Sequence, residues 1–359
     1  MLSKPKALSR GDKVAVVSLS SGMLGDDFCA HEQEIGSKRL REMGLEPLFM
    51  PNALRGSEYL DAHPEARAAD LKAAFADDSI KGIICAIGGC DTYRLAPYLF
   101  DDPEFAALVK EKPKLFTGFS DTTVDHLMLR KLGLETFYGP CFICDIAELA
   151  DEMLPYTHDS FMSYFSNEKT RVIKPSDIWY EERTDFSAAA VGTERISHSE
   201  TRGYEIICGE NKVFSGRLLG GCIESLYETV FKPRFPDQKE VSDKYNIFPS
   251  LDEWRGKIIF LETSEEQPSP DYFRSMLRDF AEMGIFGVVS GVIAGKPMNE
   301  KYYDEYKAAY REIVAPYGIP VLFNVNFGHA CPRCVLPYGA FAEVDAAAQE
   351  IRITEQALL

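Results

Sequence analysis

Over the first 140 residues, short apolar runs alternate with stretches of helical spacing. Lys13-Val-Ala-Val-Val-Ser-Leu-Ser20 is continuous enough to predict a strand buried on both faces. A helical pattern follows from Glu32 to Met43, and Gly44 supplies its stop. The alternation then repeats. Leu45 to Met50 reads as a strand, and Glu65 to Ala76 as a helix with Leu71 and Phe75 on one face. Gly82 to Ile87 is a short apolar run ending in Gly88-Gly89, and Thr92 to Phe100 is helical. Lys114 to Phe119 and Asp121 to Leu132 form the last strand and helix of the series. No hairpin signal interrupts it, so the expected architecture is α/β, a parallel sheet covered on both faces. Ligands in such sheets sit beyond the carboxyl ends of the strands. The loops Gly88-Gly-Cys-Asp91 and Gly118-Phe-Ser-Asp121 have that position.

The pattern changes after Tyr138-Gly-Pro140. From about Asn167 to Gly216 the chain is polar and irregular, which reads as a connection plus a long excursion. A second block begins with Gly216-Arg-Leu-Leu-Gly-Gly221 and a helical stretch from Glu224 to Val230. Lys257-Ile-Ile-Phe-Leu-Glu262 is a strand ending on a carboxylate, and Pro270 to Met283 is helical. Gly287 to Ala294, Pro320 to Phe323, Ala340 to Val344 and Ile351 to Thr354 read as further strands. The expected division is an N-terminal three-layer α/β domain over 1–165, a connecting segment and loop over 166–215, and a smaller strand-rich domain over 216–359.

Composition narrows the function classes. A chain of 359 residues suits two domains, and 45% hydrophobic with 26% charged residues lets burial alone build the core. The formal net charge of -17 disfavours nucleic acid and anionic membrane surfaces as partners. The start, Met1-Leu-Ser-Lys-Pro-Lys, lacks the apolar stretch of a secretory signal, and no apolar run is long enough to span a bilayer. A cytoplasmic location is expected. Most of the nine cysteines are then expected as free thiols. Two pairs have Cys-x-x-Cys spacing. Cys141-Phe-Ile-Cys144 is apolar between its cysteines, unlike a zinc knuckle, and Cys331-Pro-Arg-Cys334 lacks the helix that follows a redox motif. No metal and no cofactor are expected.

Ser120 is the leading candidate for chemistry. It lies at a strand-to-helix turn, where a nucleophile is exposed and the next N–H, that of Asp121, points at a developing oxyanion. Taken by itself, the segment reads better as an ordinary helix start with Ser120 as its cap. A seryl nucleophile needs a base, and the chain has six histidines. His126 lies down the helix after Ser120, and His31, His63, His158 and His198 sit in polar or helical surface contexts. His329 follows Val325-Asn-Phe-Gly328 in a turn after a strand. For the group that orients the imidazole, Glu262 ends an apolar strand, with Glu265, Glu266, Asp91 and Asp121 as rivals. Gly88-Gly89 after a buried strand offers backbone N–H groups to an oxyanion or a phosphate, or is a plain turn.

Five segments, in order, resemble the LD-carboxypeptidase family of serine peptidases, and most closely its branch of microcin C self-immunity proteins. They are Gly88 to Leu99, Phe116-Thr-Gly-Phe-Ser-Asp-Thr-Thr123, Gly216 to Gly221, Ile259-Phe-Leu-Glu-Thr-Ser-Glu265, and Gly328-His329 with Leu336-Pro-Tyr-Gly339. The resemblance implies a triad of Ser120, Glu262 and His329, with the N–H groups of Gly89 and Asp121 as oxyanion hole. It also implies a homodimer with the site between two domains. Trp179, in Asp177-Ile-Trp-Tyr-Glu-Glu182, resembles the branch's residue that stacks on a substrate adenine. The chain departs from the family at Cys222, where Asn is frequent, and at Ala330-Cys331 after Gly-His, where a polar residue is frequent.

The expected function is metal-independent hydrolysis of an amide bond in a peptidyl- or aminoacyl-nucleotide of the microcin C type. The alternatives are cleavage of the L-to-D bond of a murein tetrapeptide, and ligand binding without turnover on the same fold. The partner expected is a small-molecule peptide or aminoacyl-nucleotide.

Overall fold

A computed structural model describes residues 2–359. Five strands of the first half are β1 (Lys13–Val17), β2 (Glu46–Phe49), β3 (Ile80–Cys85), β4 (Leu115–Gly118) and β5 (Thr136–Tyr138). Every pairing among them is parallel, in the order β5-β4-β3-β1-β2. Helices α1 (Ala30–Glu42), α2 (Pro64–Ala76) and α3 (Thr122–Lys131) fall where the spacing predicts them, within two residues at each end. The strands alternate with helices because each apolar run must be covered on both faces, and β3 and β4 are buried almost throughout.

The polar stretch after residue 166 is more ordered than its composition suggests. It holds β6 (Arg171–Ile173), β7 (Ile178–Tyr180), β8 (Ser197–Ser199) and β9 (Glu205–Cys208). β7 and β8 pair only with each other. β6 and β9 are the two edge strands of a second sheet. That sheet also contains β10 (Val213–Cys222), β11 (Lys257–Glu262), β12 (Gly291–Gly295) and β13 (Val321–Val325), paired in parallel. Three strands follow: β14 (Leu336–Tyr338), β15 (Phe341–Asp345) and β16 (Glu350–Ile353). β15, β16 and β6 extend the sheet antiparallel on one side, and β9 closes the other. The expected strand at Gly287 begins later, at Gly291, because Ile285–Gly287 is a turn of 3-10 helix.

β14 leaves the second block and pairs antiparallel with β5 of the first sheet, Leu336 opposite Tyr138. The two blocks therefore share a strand pairing across about two hundred residues of sequence. The result places the carboxyl ends of β3, β4 and β5 beside those of β10 and β11.

Candidate active site

β4 ends at Gly118, and the chain turns through Phe119, Ser120 and Asp121 into α3. Ser120 has φ +66°, a left-handed conformation that costs a non-glycine residue energy and persists only where the surroundings impose it. Its N–H donates to Tyr138 Oη at 3.2 Å. The helix cap position belongs to Asp121, and no side chain caps that end. Ser120 Oγ has no hydrogen-bond partner among the described residues and lines a cavity of about 220 Å³. Ser120 is thus not a helix cap.

Facing it, the chain after β3 runs through Gly88 and Gly89. A Cβ on Gly88 would lie 2.6 Å from Ser120 Cβ and 3.2 Å from Asp121 N, so only glycine allows this approach. Among the described residues nothing accepts the N–H of Gly89 or of Asp121. Both are free donors on the two turns that flank Ser120 Oγ. Side chains brace these turns from behind. Ser20 Oγ donates to Asp121 at 2.6 Å and accepts from Cys90 N–H at 3.0 Å. Asp121 also accepts from Thr92 N–H at 2.9 Å, and Arg67 grips Asp91 through both nitrogens at 2.6 and 2.9 Å. Burial pushes the Asp121 carboxyl up to about 6 against these hydrogen bonds.

The second sheet and the turn after β13 bring a carboxylate and an imidazole together. Glu262 is the last residue of β11, opposite Cys222 at the end of β10. Its Oε2 accepts from His329 Nδ1 at 2.7 Å and from His329 N–H at 3.1 Å, and its Oε1 accepts from Tyr138 Oη at 2.6 Å. The carboxylate is buried with every contact satisfied by a donor. Gly328 has φ +76°, and a Cβ there would overlap the Glu262 carboxylate, so the Gly-His turn is set by this packing. His329 also meets the edge of Phe119, one residue before Ser120, at 5.0 Å between ring centres. Its Nε2 lies 2.9 Å from Glu265 Oε2. Burial alone would lower the His329 pKa, but Glu262 and then Glu265 outweigh it and raise it to about 10.

The other carboxylates considered at the sequence level each have a different partner. Glu266 pairs with Arg234, Asp91 with Arg67, and Asp121 with Ser20, while Glu265 takes the other imidazole nitrogen. His126 is buried between Thr136 Oγ1 and the Gly118 carbonyl; burial lowers its pKa to about 4 against the Gly118 hydrogen bond, and it does not line the cavity. Tyr138 is the functional candidate that sequence reasoning missed; the sequence marks Glu265 only as a rival to Glu262, not as a partner of the other imidazole nitrogen. Tyr138 stands beside Gly139-Pro140 at the end of the short strand Thr136–Tyr138, and no local feature ties it to Glu262.

Trp179 sits on β7, and the neighbouring Tyr180 N–H donates to the Cys331 carbonyl at 2.9 Å, two residues past His329. The excursion is therefore docked two residues from His329. The indole already stacks on His198, with ring centres 4.2 Å apart, and Lys296 Nζ lies 5.0 Å from its centre. It does not line the cavity at Ser120. Cys222 does, with Sγ 3.3 Å from Glu224 Oε2. Among the described residues, Cys222, Glu262 and His329 form the one group of three potential metal ligands within 4.8 Å of one another, and neither Cys-x-x-Cys pair belongs to it. A larger depression of about 500 Å³, lined by Arg10, Arg39 and His158 among others, lies away from all these groups.

Comparison with known proteins gives these geometries a context. The LD-carboxypeptidase N-terminal domain matches residues 14–139, and the LD-carboxypeptidase C-terminal domain matches residues 215–344. The crystal structure of an MccF-like protein from Streptococcus pneumoniae, in complex with AMP, is 49% identical and superposes with a TM-score of 0.91. The match covers 95% of this chain and 98% of that one. An MccF-like protein from Bacillus anthracis, 24% identical with a TM-score of 0.80, shares the fold over 98% of this chain and 99% of its own. A protein of Bacillus subtilis named "Probable murein peptide carboxypeptidase" is 27% identical over 351 residues, which is 96% of this chain and 92% of that protein.

Proposed function

This chain belongs to the LD-carboxypeptidase family and is a serine peptidase-type hydrolase with MccF-like structural relatives, and from that premise we propose that Ser120, His329 and Glu262 are its nucleophile, base and orienting acid. The observation that carries the assignment is the buried Glu262 carboxylate. It binds His329 Nδ1 on one oxygen and, through Tyr138, the backbone of Ser120 on the other. One group thereby registers the base against the nucleophile.

The chemistry follows from those positions. Ser120 Oγ adds to the scissile carbonyl carbon and passes its proton to His329 Nε2. Glu262 keeps the Nδ1 proton in place and stabilises the imidazolium. The carbonyl oxygen, now an oxyanion, takes hydrogen bonds from Gly89 and Asp121 N–H. Collapse releases the amine, which carries away the proton from Nε2. Water then adds to the acyl-serine by the same proton route and frees Ser120.

The substrate class we propose is a peptidyl- or aminoacyl-nucleotide cleaved at its amide bond. Its support is the AMP held by the 49% identical relative, together with a tryptophan-bearing strand docked beside His329. In this reading Trp179 stacks on the base, and His198 moves off the indole to admit it. Cleavage of a murein tetrapeptide is the second reading, favoured by the Bacillus subtilis relative. Purified protein assayed on an aminoacyl sulfamoyl adenosine and on a murein tetrapeptide separates them. Turnover of the first supports the nucleotide reading, and turnover of the second alone removes it. Ser120→Ala should abolish hydrolysis while ligand binding remains. An unchanged rate would remove Ser120 as nucleophile and the triad with it, and binding without turnover of either substrate by the full chain would leave a binding protein of the same fold.

A further inference from the structure

The nitrogen that the proposed reaction needs open is closed. Glu265 Oε2 sits 2.9 Å from His329 Nε2. The two carboxylates on this imidazole differ in kind. Glu262 is buried at the end of β11, whereas the Glu265 side chain is 64% exposed. Glu265 lies on the turn just after that strand, closed by Gln267 N–H to the Ser264 carbonyl at 3.0 Å. Solvent reaches the Glu265 side of this pair and weakens its hold, so this contact exchanges more readily than the buried one to Glu262. Glu265 also lines the Ser120 cavity, within reach of whatever occupies it.

That cavity is acidic. Asp121, Glu224, Glu228, Glu265 and Glu266 line it, against Arg234 as the one Lys or Arg side chain. Arg234 is already held by Glu228 and Glu266, each at 2.9 Å. An anionic acyl group would therefore meet carboxylates with no free cation to receive it. A cationic one would find Glu265 charged, since the hydrogen bond from His329 holds its carboxyl down at about 2.

Resting on the reading of Ser120 and His329 as nucleophile and base, we propose that Glu265 is a specificity-determining latch. It closes His329 in the empty site and releases it when a cationic side chain on the acyl part of the substrate becomes its partner. Charge and protons balance. In the closed site the imidazolium carries a proton on each nitrogen and faces Glu262 and Glu265. A substrate ammonium or guanidinium then replaces it as the partner of Glu265. The imidazolium gives its Nε2 proton to water, and the neutral ring accepts the proton of Ser120. The other groups facing His329 stay in place through this exchange. They are Cys222 at the end of β10, the Phe119 ring, and Arg333, whose Nη2 lies 3.4 Å from the His329 carbonyl and whose charge Asp145 balances at 3.0 Å.

The test uses lysyl and norleucyl sulfamoyl adenosine, which differ only in the side-chain ammonium, on the full chain and on Glu265→Gln. The chain as it stands should favour the lysyl compound about tenfold in kcat/KM, with part of the gain in kcat, and the variant should bring the two within about twofold. With the norleucyl compound, the acidic limb of the pH profile should move to lower pH in the variant, because losing a carboxylate lowers the imidazole pKa. No lysyl preference, or a preference that survives Glu265→Gln, overturns the proposal. Labelling by a fluorophosphonate separates the two levels of the argument. If Ser120 is labelled in neither protein, the nucleophile reading fails and the latch with it. If Ser120 is labelled at equal rates and with equal pH dependence in both, the nucleophile stands and the latch alone is overturned. Faster labelling of the variant at neutral pH supports it.

Discussion

Ser120 and His329 stand on turns built by different forces. The Ser120 turn is fixed by backbone approach and by hydrogen bonds from behind. Gly88 packs against Ser120, Ser20 ties Asp121 to Cys90, and Arg67 holds Asp91 from the interior. The His329 turn also rests on a glycine packed against a neighbour, but its imidazole is held by charge, with one carboxylate buried at Nδ1 and one exposed at Nε2. In the proposed mechanism the first arrangement is preorganised for a developing oxyanion and has little to rearrange. The second, in that mechanism, holds a proton tightly in the empty site and lets it go before the reaction. Changes on the first side should therefore appear as losses of transition-state stabilisation. Changes on the second should appear in the pH dependence as well.

The largest effect that tests this contrast is expected from Glu262→Gln. It keeps the shape of the acid but removes the charge that stabilises the imidazolium and fixes its tautomer. A loss of about 10³–10⁴ in kcat is expected, by analogy with acid-to-amide changes in seryl triads. Steady-state kinetics with little change in KM would bear this out, and a loss below tenfold would detach Glu262 from the triad.

Gly88→Ala comes next, on the other turn. The added methyl lies 2.6 Å from Ser120 Cβ, so it must push the nucleophile turn or the Gly89 donor aside. A fall in kcat of about 10²–10³ is expected, the scale of removing an oxyanion donor. Near-normal kcat would mean that this approach does not shape the site.

Much of this frame is legible in the sequence, and the rest is hidden for physical reasons. Strands β3 and β4 and helix α3 follow from apolar runs and helical spacing, so the two loops at the sheet edge could be located. The conformation of Ser120 could not. A left-handed serine is imposed by tertiary neighbours, and Gly-x-Ser-Asp serves a helix cap equally well. Strands β5 and β14 are three residues each, too short to show a period, and they pair across about two hundred residues. Tyr138 was hidden with them. The helix Pro103–Glu111 has a readable start, with Asp102 accepting from Phe105 N–H, but apolar periodicity alone passes over it. The polar stretch before residue 216 reads as irregular because β6 and β9 are edge strands, half exposed and without a continuous apolar run.

Trp179→Ala probes whether the docked excursion belongs to the base's side of the site. Loss of base stacking, about 1–3 kcal/mol, should raise KM for an aminoacyl sulfamoyl adenosine and leave a murein tetrapeptide unaffected. Equal loss on both substrates would make the indole a structural anchor of β7.

Tyr138→Phe cuts the link between the two turns. It removes the acceptor of Ser120 N–H and a donor to Glu262. A loss of about 1–2 kcal/mol in stability, with kcat down about tenfold, is expected for hydrogen bonds of this kind. An unchanged kcat would show that the turns are registered independently.

The smallest effect lies in stability against pH. The folded-state pKa of His329 is raised to about 10 by its carboxylates. Its charged contacts therefore stabilise the fold fully below about pH 6.5, the unfolded value, and are lost as pH rises through about 10. The difference in melting temperature between the native chain and His329→Gln should shrink over that window. A difference that grows with pH would contradict the assigned charge state.

The central claim is that Ser120 is the nucleophile of this hydrolase, activated by His329. Its most direct test is to react the full chain with a fluorophosphonate and locate the adduct by peptide mass spectrometry. The account predicts one adduct, on Ser120, absent in Ser120→Ala and formed far more slowly in His329→Gln. An adduct on another residue, or labelling that persists in Ser120→Ala, would contradict it.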